Sequence, residues 1–273
     1  MSSAPVSVVI PAHNSEAFIA QAIRSVRAQT LAIAEIIVVA NDCTDRTKQI
    51  AVDLGAVVLE QKRRSIAAAL NLAIKASTQP WIAFLDADDL WHEDKIRMQC
   101  KAIESCPNVG LVACDGYVLV DDEVHDFERR LTKRWINLQH DRVTDQMQYV
   151  SSIDGEFCKR FYLQTSQVMA LRQAVNRAGF LDEGFAYWQT MEFFCRVLRN
   201  YPLAFVERPL VYQRRHSANH TRDFDAYWAS YISMINRMLR YPDQYPPGAG
   251  EAFRECLKRD FHQNERLLAR RKQ

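Results

Sequence analysis

Trp81-Ile82-Ala83-Phe84-Leu85-Asp86-Ala87-Asp88-Asp89 sets an unbroken apolar run directly against a cluster of carboxylates. A short run that is apolar at every position suits a strand buried on both faces. The cluster that follows is harder to accommodate. Asp86, Asp88 and Asp89 repel one another at this spacing, and a shared cation is what relieves that repulsion. Hard oxygen donors in an open site suit Mg²⁺ or Mn²⁺. A competing local reading makes Asp89 the cap of a helix entered near Glu93. That accounts for one aspartate and leaves two unexplained.

Upstream, the same pattern recurs. Val6-Ser7-Val8-Val9-Ile10, ending at Pro11, is a strand, and so are Ile36-Ile37-Val38-Val39 and Val57-Val58-Leu59. Between them Glu16 to Gln29 reads as a helix, with Phe18, Ile19, Ala22, Ile23 and Val26 at helical spacing and Asn14 or Ser15 as its cap. Further helices are expected from Thr44 to Leu54 and from Ile66 to Ala76. Strands alternating with such helices specify βαβ units and a parallel sheet. Right-handed crossovers then put the strand C-termini on one edge. Ala12-His13-Asn14, Asn41-Asp42 and Asp86 to Asp89 each follow a strand, so they should converge on one crevice at that edge.

The second half is less regular. Val109 to Val120 reads as a strand or hairpin, and Asp121 to Val150 carries no clear period. Thr165 to Leu171 is expected as a strand, with a short helix ending near Gly179. Met191 to Arg199 is a helix and Leu203 to Tyr212 is extended. Phe224, Tyr227, Trp228, Tyr231, Ile235, Met238 and Leu239 form a helical stripe whose plain meaning is core packing. A charged helix should follow Pro246-Pro247-Gly248 and run from Gly250 to the end.

The 273 residues suffice for one large α/β domain with its own core. A formal net charge of +2 gives no push toward nucleic acid. No apolar run approaches the length of a membrane span, about 18 residues, and the first strand begins too early to leave room for a signal peptide. Cys43, Cys100, Cys106, Cys114, Cys158, Cys195 and Cys256 include no C-x-x-C pair, as expected for reduced thiols of a cytoplasmic protein.

Val8-Val9-Ile10-Pro11-Ala12-His13-Asn14, Ile37-Val38-Val39-Ala40-Asn41-Asp42-Cys43-Thr44-Asp45 and Ile82 to Trp91 resemble, in that order, the donor-site motifs of the family 2 glycosyltransferases of GT-A fold. Leu70-Asn71-Leu72-Ala73-Ile74, Gly179-Phe180-Leu181-Asp182-Glu183 and Val211 to Asn219 are similar to further landmarks of that family. The likeness spans about residues 5 to 221. It implies a Rossmann-like, mostly parallel α/β sheet flanked by helices. Residues 1–120 would be the nucleotide-sugar-binding half, 121–221 the acceptor half and 222–273 a helical extension. The implied activity is metal-dependent, inverting transfer of a sugar from a nucleotide-diphosphate donor, foremost a UDP-sugar. The acceptor would be the hydroxyl of a glycan, a lipid-linked sugar or a small molecule.

The resemblance also implies roles. Pro11 and His13 would flank the base, with Asn14 in the same loop, and Asn41 or Asp42 would hydrogen-bond the base. Arg64 or Arg63 would meet the phosphates. Asp86, Ala87 and Asp88 would serve ribose and metal, and His216 would complete the metal shell, where imidazole suits Mn²⁺ better than Mg²⁺. One position departs from the pattern. Thr190, preceded by Gln189, falls where the family carries the aspartate that deprotonates the acceptor. Glu192 on the same helix is the candidate base, with Asp182, Glu183, Asp154 and Glu156 as alternatives. Two other functions stand beside this one. A nucleotidyltransferase would ordinarily show a Gly-rich loop, which Pro11 to Asn14 lacks. A degenerate transferase would hold a nucleotide sugar without turnover. Arg266, Arg270, Arg271 and Lys272 are the candidates for peripheral contact with an anionic membrane surface.

Overall fold

Strand and helix alternate through the first part of the chain because apolar runs buried on both faces alternate with amphipathic segments. β1 (Ala4–Ala12), β2 (Ile33–Asn41), β3 (Val57–Gln61) and β4 (Trp81–Phe84) are separated by α1 (Ile19–Arg27), α2 (Thr47–Asp53) and α3 (Ile66–Ala76). In this computed structural model, which describes residues 3–120, 123–125, 141–144, 146–158, 163–216 and 223–259, the strands form a parallel ladder β3-β2-β1-β4. Val6, Val8 and Ile10 of β1 join a core with Ile19, Ala22, Ile23 and Val26 of α1. Val9 points the other way, into a core with Ile37, Val39 and the Ala67, Leu70 and Ile74 face of α3. The period-two alternation of β1 thus fills both layers. Each fully buried Val, Leu or Ile contributes about 1.5–3 kcal/mol.

The remaining strands are β5 (Leu90–Trp91), β6 (Leu111–Val120), β7 (Glu123–His125), β8 (Asp141–Thr144), β9 (Met147–Val150), β10 (Met169–Leu171) and β11 (Leu203–Arg215), with α4 (Lys95–Ser105) between β5 and β6. The sheet order is β3-β2-β1-β4-β10-β6-β11-β9-β8, with β5 on β11 and β7 on β6. The sheet is mixed: β10 runs antiparallel to both β4 and β6, whereas β6 and β11 are parallel. The strand expected over Thr165 to Leu171 is half that length. Its first residues form a 3₁₀ turn, Thr165–Gln167, and Met169–Leu171 form the strand. The capping reading of Asp89 also falls. Leu90–Trp91 pair with Val211 and Tyr212, and α4 opens only after Asp94.

The C-terminal helices pack on the α3 side of the sheet. Tyr231, Met234, Ile235 and Met238 of the helix Phe224–Arg240, with Tyr245, Ala249, Ala252 and Phe253 beyond it, belong to the same core as β2 and α3. The aromatic stripe is therefore core over its second half only, since Phe224 at its start is 62% exposed. Residues 249–259 are helical, and Arg266, Arg270, Arg271 and Lys272 lie outside the described residues. Among the described residues no helix is long and apolar enough to cross a membrane. The seven cysteines are free.

Candidate functional site

A cavity of about 680 Å³ opens at the C-terminal edge of β1, β2 and β4. Pro11, His13, Asn14, Asn41, Arg64, Asp86, Ala87, Asp88 and His216 all line it. Asp42 and Glu192 do not. The loops after β1 and β2 hold each other in place. Asn14 and Asp42 take left-handed backbones, φ 45° and 55°, which asparagine and aspartate tolerate best among non-glycine residues. Asn14 Oδ1 accepts from the Thr44 amide at 2.8 Å, and His13 Nδ1 lies 2.7 Å from the Asn41 carbonyl. Asn41 is buried, and its side-chain oxygen accepts from the Ser65 amide (3.2 Å) and Gln61 Nε2 (3.0 Å), tying β2 to the start of α3. Asp42 is exposed, at the turn where its amide donates to the Gln61 carbonyl.

The acidic run forms one end of the cavity. Asp89 is buried, and its carboxylate accepts from Ser166 Oγ at 2.6 Å and from the Arg214 amide at 3.0 Å. Burial, with Asp88 and Asp86 nearby, pushes its carboxyl well above the usual range. Ser166 Oγ also accepts from the Asp86 amide at 3.0 Å, so one hydroxyl braces both ends of the run. Burial and the neighbouring Asp88 raise the Asp86 carboxyl to about 7. Both shifts are led by burial, to which the neighbouring carboxylates of the run add. Asp88 Oδ2 meets His216 Nε2 at 3.0 Å. The His216 ring packs on Phe18, centroids 4.4 Å apart, and the Arg214 guanidinium lies 5.2 Å from the same Phe18 ring. Arg214 also donates to the Asp88 carbonyl (3.1 Å) and to Gln21 Oε1 (2.5 Å).

Among the described residues no group of three or more His, Cys, Asp or Glu side chains closes a metal shell. Asp88 and His216, with Asp86 two residues away, make a partial set of hard oxygens and one imidazole. That donor set would suit Mn²⁺ or Mg²⁺ in an open site, with the remaining positions left to non-protein oxygens.

The helix Gln189–Leu198 brings its first turn to the cavity, where Gln189 and Thr190 line the wall and Thr190 Oγ1 lies 3.3 Å from Thr165 Oγ1. Glu192, the expected base, faces the core instead. Two residues of α-helix turn it by about 200° from Thr190. It is fully buried, accepting from Arg196 Nε (2.8 Å), an Arg196 terminal nitrogen (2.9 Å) and the Tyr245 hydroxyl (2.5 Å), with Arg237 Nε at 3.4 Å. A carboxylate locked among two guanidiniums and a phenol is a structural anchor. Of the alternatives, Asp182 pairs with Arg237 at 2.6 Å, and the Asp154 side chain accepts from the Phe157 amide at 2.9 Å. Neither of these, nor Glu156, lines the cavity. Glu183 does, held by Asn71 Nδ2 (3.1 Å) and Arg63 (3.3 Å). Phe18, Ser166 and Arg214 were not foreseen as site residues. Phe18 reads in sequence as part of a helical core stripe, and a lone serine in a polar stretch gives no signal at all.

The family model described as glycosyl transferase family 2 matches residues 7–166, more than half the chain. An uncharacterized glycosyltransferase of Rickettsia typhi is 23% identical over 251 residues, covering 85% of this chain and 73% of the relative. An Escherichia coli protein named UDP-Glc:alpha-D-GlcNAc-diphosphoundecaprenol beta-1,3-glucosyltransferase WfgD is 34% identical over 98 residues, 34% of this chain and 39% of that protein. Among solved structures, Staphylococcus aureus TarS 1–349 in complex with UDP-GlcNAc superposes with a TM-score of 0.67 at 14% identity, over 86% of this chain and 66% of that one. The chain spans 39% of the longer TarS structure. The mixed sheet flanked by helices, with its crevice at the strand ends, is the GT-A architecture. This chain belongs to the family 2 glycosyltransferases.

Proposed function

We propose that this chain moves a sugar from a UDP-sugar, bound with Mn²⁺ or Mg²⁺, to a hydroxyl of a glycan or lipid-linked acceptor, with inversion at the anomeric carbon. The observation that carries this reading is the Asp88–His216 contact at 3.0 Å beside Asp86, in the same cavity as Pro11, His13 and Asn41. Pro11 and His13 flank the base, and Asn41 fixes the loop that meets it. Arg63 is engaged by Glu183, which leaves Arg64 as the phosphate partner. Asp88 and His216 would hold the metal, with Asp86 beside them. A bound divalent ion supplies Lewis acidity to the leaving diphosphate. The UDP-GlcNAc complex of TarS and the undecaprenol-linked acceptor in the name of the E. coli relative support the donor and acceptor classes.

A second reading, donor binding without transfer, is favoured by Thr190 at the helix start and by the internal pairing of Glu192. Calorimetric titration of UDP with and without Mn²⁺, beside hydrolysis assays of UDP-GlcNAc and UDP-Glc, separates the two. Binding that requires Mn²⁺, with donor turnover, supports transfer. Binding without turnover across an acceptor panel supports the second reading. Asp88→Asn is expected to abolish metal-dependent UDP binding while leaving the unfolding transition in place. Unchanged binding would refute the assignment of Asp88.

A further inference from the structure

The family resemblance assigns the hydrogen bond to the base to Asn41 or Asp42, and the fold uses both of them otherwise. Asp42 does not line the cavity. Asn41 does, but its side-chain oxygen already accepts from the Ser65 amide (3.2 Å) and from Gln61 Nε2 (3.0 Å). Those two donors fill both of its lone pairs. Ala40, just before them, is buried and has no polar side chain. Residues 40–42 therefore offer the cavity no free side-chain oxygen for an N–H of the base.

His13, on the loop after β1, supplies the missing acceptor. Its ring is half-buried and lines the cavity. Nδ1 lies 2.7 Å from the Asn41 carbonyl. A carbonyl only accepts, so Nδ1 carries the ring proton, and in the neutral ring Nε2 keeps a lone pair. Among the described residues Nε2 has no hydrogen-bond partner, and it is not sealed from solvent. The loop that carries the ring is fixed as well. The His13 carbonyl accepts from Ser15 Oγ (3.1 Å), the Ser15 amide donates to Thr47 Oγ1 (2.7 Å), and Asn14 Oδ1 accepts from the Thr44 amide (2.8 Å). An acceptor whose tautomer and backbone are both set before the ligand arrives loses little freedom on binding.

We propose that His13 selects the base, with Nε2 accepting the N3–H of uracil. Uracil carries a proton on N3, whereas cytosine carries a lone pair there, and two lone pairs set face to face repel. The proposal rests on the reading of the cavity as a UDP-sugar site, and it names the atom that makes uracil the preferred base. It moves that task from the end of β2, where the resemblance put it, to the loop after β1.

Titration calorimetry in the presence of Mn²⁺ compares UDP, CDP and 3-methyl-UDP, in which a methyl group replaces the N3 proton. Wild type is expected to bind UDP at least about tenfold more tightly than the other two, the scale of one good hydrogen bond. His13→Asn keeps an amide nitrogen where Nδ1 stood and leaves nothing at Nε2. It should weaken UDP about tenfold, to the level of 3-methyl-UDP. His13→Gln instead reaches the Nε2 position with an amide that can turn either atom toward the base. It should keep most of the affinity for UDP and narrow the gap to CDP. A residue that only ties the two loops together predicts the reverse order, with Asn tolerated and Gln not. Equal binding of UDP and 3-methyl-UDP by wild type, a comparison that needs no variant to fold, overturns the proposal. So does unchanged UDP binding in His13→Asn. A preference for CDP overturns it too, and leaves the nucleotide-sugar reading standing with a different base. If wild type binds no nucleoside diphosphate, the donor reading falls and the base assignment falls with it.

Discussion

Glu192 accepts from Arg196 and from the Tyr245 hydroxyl and lies against Arg237, with no solvent access. Burial, then the adjacent carboxylate, pushes the Tyr245 hydroxyl up and keeps it a donor. Removing the acid leaves two guanidiniums facing a void, and breaking a buried pair from one side costs about 3–5 kcal/mol. Glu192→Ala should therefore lower the urea midpoint steeply. Any fraction that remains folded should still titrate with UDP and Mn²⁺. A base role predicts the reverse, with stability kept and turnover lost. The same scale shows where residue-by-residue inference stops. Thr190 is legible as a departure from the family pattern because the Phe193-Phe194 and Arg196-Val197 pairs align with that pattern and fix its position. Whether Glu192 replaces it depends on which helix face meets the cavity, and that is set by partners such as Arg237 and Tyr245, 45 and 53 residues away.

At the scale of elements, the acidic run is positioned by pieces too short to carry a period. Trp91 of β5 donates from Nε1 to the Ser166 carbonyl at 3.0 Å, and Gln99 of α4 donates to the Gln167 carbonyl at 3.0 Å. The 3₁₀ turn Thr165–Gln167 is thus held from below, while Ser166 braces Asp86 and Asp89 above. Sequence pattern finds α1 and α3 by their helical period and β1 to β4 by their short, largely apolar runs. It misses a three-residue turn and a two-residue strand because neither completes one. Lys95 lies under this assembly, fully buried, its Nζ 2.8 Å from Gln99 Oε1 and 4.0 Å from the Trp91 ring centre. Burial lowers its ammonium from 10.5 to about 8. Between those values the unfolded chain keeps a proton that the folded chain has released. The contribution of this group to stability is therefore lowest below about pH 8 and grows as pH climbs toward 10.5. The window is worth on the order of 3 kcal/mol. Lys95→Met should be the more stable protein at pH 7, and its advantage should shrink steadily above pH 8. A constant gap between the two urea midpoints from pH 7 to 10 would remove the charged-burial account.

Across the whole molecule, the cavity residues proposed for the donor come from the ends of β1, β2 and β4, and the residues facing them come from the second half of the chain. His216 and Arg214 reach the acidic run only because β11 lies two strands beyond β10 and pairs with β5. The site is therefore spread over contacts that span more than a hundred residues of sequence, and it exists only in the folded chain. A ligand that bridges both halves must then stabilise the fold as a unit, by RT ln(1 + [L]/Kd), about 2.7 kcal/mol at a hundredfold excess over Kd. For a chain of this size that corresponds to a rise in Tm of roughly 5–10 °C. UDP and Mn²⁺ added together should produce it, and either alone should give much less, because the metal lacks ligands without the diphosphate and the diphosphate repels Asp86 and Asp88 without the metal. Asp88→Asn should erase the joint effect while leaving the ligand-free Tm within a few degrees. Equal shifts from UDP alone in wild type and variant would mean that nucleotide binds without the acidic run, and the metal would lose its place in the mechanism.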